Sequence, residues 1–302
     1  MLSVIIPAYN EERMVPIAAE RLHKILSEAG ITHELIFVDD GSKDRTWTRI
    51  EQAKQEVSQV RGVRFSRNFG KEAAIFAGLN EAKGDCAAVL DCDMQHPPEK
   101  LVEMYSLWEQ GYEVIEGVKR SRGRESALHR FNAKCFYGLI SRASGVDMAN
   151  ASDYKLLDRR AVDVLLTMRE KHAFFRAMSG WIGFRTTSVE YEVQERKYGT
   201  SKWSTRSLIR YAISNITSFS TAPMQIVTIL GFLMLLVALV FGVIALVQKI
   251  AGTALGGFTT IILLLLFIGS LLMISLGIIG FYIARIYEEV QDRPRYIVQT
   301  RI

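Results

Sequence analysis

Cysteine is scarce in this 302-residue chain, and its three copies, Cys86, Cys92 and Cys135, form neither a CxxC pair nor a framework pattern. Their spacing argues against a zinc ribbon and a disulfide scaffold, and predicts buried, reduced thiols in a cytoplasmic domain. No basic region leads into a long apolar run at the N-terminus. Residues 2–8 are too short for a signal peptide and read as a first β-strand. No GxGxxG follows that strand, which disfavours a dinucleotide-binding domain. Charge is missing from two long stretches, 211–248 and 250–284, although 23% of the chain is charged. A mean hydropathy of +0.12 therefore averages a charged body and an apolar appendage. There is no internal repeat or low-complexity tract.

Within the appendage, segments 223–247 and 258–283 each exceed the roughly 20 residues that cross a hydrocarbon core. A glycine-rich connection at 251–257 joins them, so the pattern predicts a two-helix transmembrane hairpin. Lys202, Arg206 and Arg210 precede the hairpin, Arg285, Arg293, Arg295 and Arg301 follow it, and only Lys249 lies in the outer turn. Basic flanks stay on the cytoplasmic side, which puts both termini in the cytoplasm and makes the chain a multi-pass inner-membrane protein. The same placement assigns the net charge of +5 to lipid headgroups rather than to nucleic acid. The expected division is a cytoplasmic domain over 1–204, an interfacial helix or linker over 205–222, the hairpin over 223–284 and a cytoplasmic tail over 285–302.

In the body, strand patterns at 2–7, 34–38, 63–66, 86–90 and 114–118 alternate with helical patterns at 11–29, 44–57, 71–82 and 98–110. Such alternation predicts an α/β domain with a mostly parallel sheet covered on both faces. Beyond residue 120 the pattern loosens. It predicts a basic loop at 121–126, helices at 127–144, 160–169 and 173–178, strands at 154–157 and 189–193, a loop at 196–203 and an interfacial helix at 206–218.

Ligands bind outside the carboxyl ends of strands in open α/β sheets. Here the first strand runs out in Pro7-Ala8-Tyr9-Asn10-Glu11-Glu12, the second in Asp39-Asp40-Gly41-Ser42 and the fourth in Asp91-Cys92-Asp93-Met94-Gln95-His96. If these strands are neighbours, three acidic turns meet in one cleft. Asp91 and Asp93 can share a divalent cation whose other positions go to water and phosphate oxygens, which suits Mg²⁺ or Mn²⁺. Of Asp39 and Asp40, one can reach a nucleobase or ribose while the other faces the metal. His96 reads as a cleft hydrogen-bonding residue, and Trp181, Trp203 and Tyr211 as interfacial anchors or core.

These turns, beginning Ser3-Val4-Ile5-Ile6-Pro7, Val38-Asp39-Asp40-Gly41-Ser42 and Asp91-Cys92-Asp93-Met94-Gln95-His96, resemble family 2 glycosyltransferases. Ser66-Arg67-Asn68-Phe69-Gly70-Lys71-Glu72, Asp153-Tyr154-Lys155, Arg196-Lys197-Tyr198-Gly199-Thr200-Ser201-Lys202 and Ser218-Phe219-Ser220-Thr221-Ala222-Pro223 narrow the resemblance to enzymes that glycosylate polyprenyl phosphates, of the bactoprenol glucosyltransferase and dolichol-phosphate mannose synthase type. The resemblance covers almost the whole chain. It implies a GT-A fold, inverting transfer, a nucleotide-sugar donor, a polyprenyl phosphate acceptor and metal dependence. It also implies a nucleotide pocket of Pro7, Tyr9, Glu11 and Asp39 and a metal and diphosphate site at Asp91 and Asp93, with Gln95 beside the sugar. Arg196 and Lys202 match its phosphate-binding motif. Tyr154-Lys155 and Met224-Gln225 stand where Phe-Arg and Leu-Arg are expected.

Asp153 is a candidate orienting residue or base, Lys71 a candidate for the donor phosphate, Arg122 part of a loop over the donor and Arg176 a residue for the lipid phosphate. Two spans are too few for a flippase, so a separate flippase and a downstream glycosyltransferase would complete such a route. No QxxRW motif marks a processive synthase. UDP-glucose and undecaprenyl phosphate are the expected pair, with GDP-mannose, UDP-N-acetylglucosamine, UDP-galactose and an amino-arabinose donor left open. A membrane-tethered nucleotide-sugar scaffold is the reading of another class. Gly231, Gly242, Gly269, Gly277 and Gly280 permit close helix packing and a homo-oligomer.

Overall fold

A computed structural model describes residues 1–120, 152–168, 170, 174–192, 222–251 and 257–302. The chain divides into two compact units, Met1–Leu208 with Pro294–Ile302, and Ile209–Arg293.

The first unit is built on an eight-stranded sheet of order β7-β5-β6-β4-β1-β2-β3-β8. Its strands are β1 (Leu2–Ala8), β2 (His33–Asp39), β3 (Val60–Phe65), β4 (Cys86–Val89), β5 (Val114–Lys119), β6 (Lys155–Asp158), β7 (Thr186–Tyr191) and β8 (Val298–Arg301). The centre is parallel, with β1 between β2 and β4 and β2 beside β3, and β5 pairs parallel with β7. The pairs β3–β8, β4–β6 and β5–β6 are antiparallel. The sheet is thus more mixed than strand–helix alternation implied. Alternation registers the parallel strands of the first half, whereas β6 and β8 enter the sheet antiparallel, a direction that strand–helix alternation does not encode.

β1 and β2 are buried along nearly their whole length, the signature of strands covered on both faces. Helices α1 (Met14–Glu28), α2 (Thr46–Glu56), α3 (Lys71–Glu81) and α4 (Lys100–Glu109) follow the first four strands. α1 buries Met14, Ala18, Leu22 and Leu26, one face at helical spacing. α3 lies tight on β1: a Cβ on Gly78 would stand 2.2 Å from Ile5 Cγ2, so only glycine permits this approach. Two further helices, α5 (Arg159–Thr167) and α6 (Phe175–Trp181), complete the described part of the unit.

β8 lies within the segment expected to be a tail. It is an edge strand because Ile302 and Gly62 exchange backbone hydrogen bonds (2.9 and 3.2 Å) and Tyr296 stacks on Phe65 at 5.0 Å. The second unit holds α7 (Ala222–Ile250) and α8 (Phe258–Val290), which contact one another. α8 contains Phe267–Val290, the one stretch among the described residues long and apolar enough to cross a membrane; the apolar stretch of α7, Ile229–Ile244, is shorter. Phe232, Leu236, Met273 and Ile274 point large apolar side chains outward, each more than half exposed. Such a surface is unfavourable in water and compatible with lipid.

Candidate active site

Because β1 is flanked by β2 and β4, the three acidic turns emerge side by side. The first two are laced together by short polar side chains. Asn10 N–H donates to Ser42 Oγ (2.9 Å), Glu11 N–H to Thr46 Oγ1 (2.8 Å), and Lys43 N–H to Asn10 Oδ1 (3.0 Å). Asn10 and Met94, in the β1 and β4 turns, both take left-handed backbone (φ 56°), which bends the chain sharply as each strand ends. Glu11 belongs to the same neighbourhood as the Asp91-Cys92-Asp93 turn. Burial drives the Cys92 thiol well above its ordinary pKa, and the charges of Glu11, Asp93 and Asp91 push it further. A thiol held so firmly protonated is no ligand.

Asp39 and Asp40 point to different partners within the protein. Asp39 is fully buried; its Oδ1 accepts from Ser42 N–H (2.9 Å) and its Oδ2 lies 3.4 Å from Arg64 Nε. Asp40 faces the loop before α3, accepting from Phe69 N–H (2.6 Å), Gly70 N–H (3.0 Å) and Asn68 Nδ2 (2.9 Å). Burial raises the Asp40 pKa to about 6, against the pull of those backbone N–H groups and with a push from Asp39. Gly41 must be glycine here: its φ is +66°, and a Cβ would lie 2.4 Å from the Arg67 carbonyl carbon.

That loop aims the first residue of α3 into the cleft. Lys71 Nζ sits 2.6 Å from Asp91 Oδ1 and 2.8 Å from Asp153 Oδ2. Asp153 also takes a two-pronged guanidinium, with Arg176 Nε 2.6 Å from Oδ1 and Nη2 2.9 Å from Oδ2. Burial opposes ionisation of Asp153, but Lys71 and Arg176 outweigh it and hold the carboxyl far below its ordinary pKa. Burial likewise opposes the Lys71 charge, and the two carboxylates overcome it and raise the Lys71 pKa. Neighbouring Glu72 accepts from Phe175 N–H at 2.9 Å; burial, then the Asp153 charge, push it up to about 7. Asp91, Asp153, Lys71 and Arg176, four residues singled out from sequence, thus form one network.

Asp93 Oδ1 accepts from Gln95 N–H (3.1 Å), fixing the turn that carries both. Among the described residues no three His, Cys, Asp or Glu side chains gather as a metal cage. Two hard carboxylates on one turn are a donor set that fits Mg²⁺ or Mn²⁺, whose remaining positions would go to water and phosphate oxygens. His96 stacks on Tyr154 (5.0 Å) and meets Tyr191 edge-on (5.5 Å); burial lowers its pKa, so it is a neutral wall of the cleft.

Lys155 does not face the cleft. Fully buried, it donates to Glu116 (2.5 Å), to Ser179 Oγ (2.7 Å) and to the carbonyl of Arg176 (3.4 Å), bracing α6 from beneath. Sequence reading missed three contributors: Glu72, which anchors the start of α6; Arg64, which faces Asp39; and the bracing role of Lys155. A charged residue in a strand offered a signal for Arg64 and Lys155, but not for Glu72 in α3. Pro7 and Tyr9 lie at the end of β1, with Tyr9 exposed. Arg122, Arg196 and Lys202 lie outside the described residues, as do the expected helices 127–144 and 206–218.

Residues 3–166 match the model of glycosyl transferase family 2. An uncharacterized glycosyltransferase of Synechocystis sp. is 36% identical over 98% of this chain and 94% of its own. A prophage bactoprenol glucosyl transferase homolog of Escherichia coli is 33% identical over 99% of this chain and 98% of its own. The bactoprenol glucosyl transferase of Shigella phage SfII is 32% identical over 99% and 97%. Among solved structures, mannosyl-3-phosphoglycerate synthase from Rubrobacter xylanophilus shares the fold at a TM-score of 0.50, with 16% identity over 72% of each chain. The mixed sheet, the acidic turns at its centre and the near-full-length relatives agree: the chain is a GT-A glycosyltransferase and belongs to family 2.

Proposed function

We propose that this enzyme transfers glucose from UDP-glucose to undecaprenyl or a related polyprenyl phosphate, giving a polyprenyl-phosphate sugar for cell-envelope glycosylation. The observation that carries the reading is the single network of Lys71, Asp91, Asp153 and Arg176, which brings cations for phosphate groups to the acidic turn. Relatives named bactoprenol glucosyl transferase support the sugar and the lipid.

An oxygen of the acceptor phosphate attacks the anomeric carbon while the bond from that carbon to the donor diphosphate breaks, its electron pair leaving on UDP. In-line attack inverts the configuration. The acceptor is already anionic near neutral pH, so it needs alignment more than deprotonation. Asp153, held ionised by Lys71 and Arg176, is too weak a base to take a proton and serves to orient Arg176 toward the acceptor. Pro7, Tyr9, Glu11 and Asp39 form the nucleotide side, and Asp40 sets the loop that aims Lys71. Asp91 and Asp93 would hold Mg²⁺ or Mn²⁺, which offsets the charge growing on the departing diphosphate. Arg196 and Lys202 keep the phosphate roles that the family motif implies, and Arg122 belongs to the loop over the donor.

The membrane segment is a two-span hairpin in the inner membrane, with the catalytic unit on the cytoplasmic side. Its support is the pair of long apolar helices, α7 and α8, together with a chain whose parts before 209 and after 293 group in one unit.

The test incubates detergent-purified protein, Mg²⁺ or Mn²⁺ and undecaprenyl phosphate with radiolabelled UDP- and GDP-sugars, followed by lipid extraction. Acid-labile labelled lipid from UDP-glucose is expected. Label from another donor would replace the sugar and keep the reaction. No labelled lipid from any donor, with nucleotide still bound, would leave the scaffold reading.

A further inference from the structure

Lys71 has two carboxylate partners where a substrate-binding lysine needs none. Its ammonium closes on Asp91, the first acid of the turn assigned to the cation, at 2.6 Å, and on Asp153 at 2.8 Å. It is also able to leave. Two-fifths of its side chain is exposed, against about a twentieth for Asp153. Its departure strands neither partner: Asp153 keeps both prongs of Arg176, and Asp91, 29% exposed, opens to solvent or to another cation.

A destination lies at its own backbone. Lys71 is the first residue of the 11-residue α3, and Gly70 before it supplies no side-chain cap, so first-turn N–H groups point outward as they do at phosphate-binding helix ends. The Asp40 carboxylate holds the Phe69 and Gly70 N–H groups in the loop and thereby fixes where that helix begins.

We propose that Lys71 is a built-in counter-cation of the catalytic cleft: without donor it occupies Asp91, so the divalent cation enters together with the nucleotide diphosphate, which draws the ammonium away. This rests on the metal assignment of Asp91 and Asp93 made above. The physical reason is competition. A cation arriving alone must displace an ammonium already paired with the carboxylate, leaving that ammonium with one partner fewer. One arriving with the diphosphate brings new anions for Lys71 to neutralise. Occupancy of Asp91 by a cation then becomes conditional on the donor.

The test measures Mn²⁺ binding by electron paramagnetic resonance on the full chain in detergent, with and without UDP or GDP. Wild type is expected to bind Mn²⁺ about tenfold or more tighter once nucleotide is present. Lys71→Met should bind Mn²⁺ without nucleotide about tenfold tighter than wild type and gain less from adding it. Lys71→Arg, which keeps the charge, should resemble wild type. Lys71→Gln repeats the measurement if the methionine variant does not fold. Equal or weaker nucleotide-free binding in the uncharged variant, with Asp91→Asn abolishing binding, would overturn the counter-cation and leave the metal site standing. Mn²⁺ binding that survives Asp91→Asn would overturn the metal assignment and the proposal with it.

Discussion

Lys155→Met is a stringent test of how the acceptor side of the cleft is held. Lys155 and Glu116 face each other across the antiparallel β5–β6 pair, and Lys155 is fully buried while Glu116 retains 20% of its side-chain exposure. Burial lowers the Lys155 pKa, and Glu116 resists that shift. Methionine matches the lysine stem in volume, so no cavity opens and the cost is electrostatic. Breaking a buried pair by removing one partner costs about 3–5 kcal/mol. Partial rehydration of Glu116 brings the expectation to about 2–3 kcal/mol. For a domain of this size each kcal/mol moves the midpoint by about 2–4 °C, so Tm should fall by about 5–10 °C. Lys155→Met/Glu116→Leu, with no charge left uncompensated, should recover at least half of the loss. The assay is thermal unfolding of the purified full chain in detergent, followed by tryptophan fluorescence. An unchanged Tm in the single variant, or a double variant no better than the sum of the single changes, would refute the buried-pair account.

Asp93→Ala should abolish sugar transfer while leaving membrane insertion and Tm near wild type; full metal-dependent turnover would remove Asp93 from the metal site. Gly41→Ala places a Cβ 2.4 Å from the Arg67 backbone at φ +66°, and should lower stability by about 1–3 kcal/mol and weaken nucleotide binding, read by calorimetric titration with UDP. Asp40 has a pKa raised to about 6, so the folded state holds a proton that the unfolded chain has lost. Its contribution to stability is fully present below about pH 4 and is lost as pH rises through about 6. Asp40→Asn should flatten the Tm-against-pH curve across that window; a slope identical to wild type would show that Asp40 does not titrate there.

Much of the scaffold was legible because its signals are local. The buried runs Ser3–Ile6 and Leu35–Val38 read as strands from their apolar character, and the face Met14, Ala18, Leu22 and Leu26 read as a helix from its spacing. The three acidic turns were visible as polar punctuation after those strands. β8 was not visible: Val298-Gln299-Thr300-Arg301 has no buried face of its own and becomes a strand because β3 offers an unpaired edge and Gly62 makes room for Ile302. The antiparallel strand β6, between β4 and β5, was legible as a strand but not as a partner, since pairing direction is a property of the return path.

The order of apolar, charged and strand- or helix-patterned stretches along the sequence determined that this is a charged α/β body joined to an apolar segment, because burial follows hydrophobicity along the chain. The acidic and basic motifs, with the family they resemble, determined the class of chemistry. Only the tertiary structure decided how the charges are matched. Asp40 turns to a loop and Asp39 inward toward Arg64, Lys155 lies beneath α6, and Lys71 spans Asp91 and Asp153 across 82 positions of sequence. Ion pairing depends on distances of a few ångströms between side chains on different elements, and no one-dimensional pattern encodes those distances.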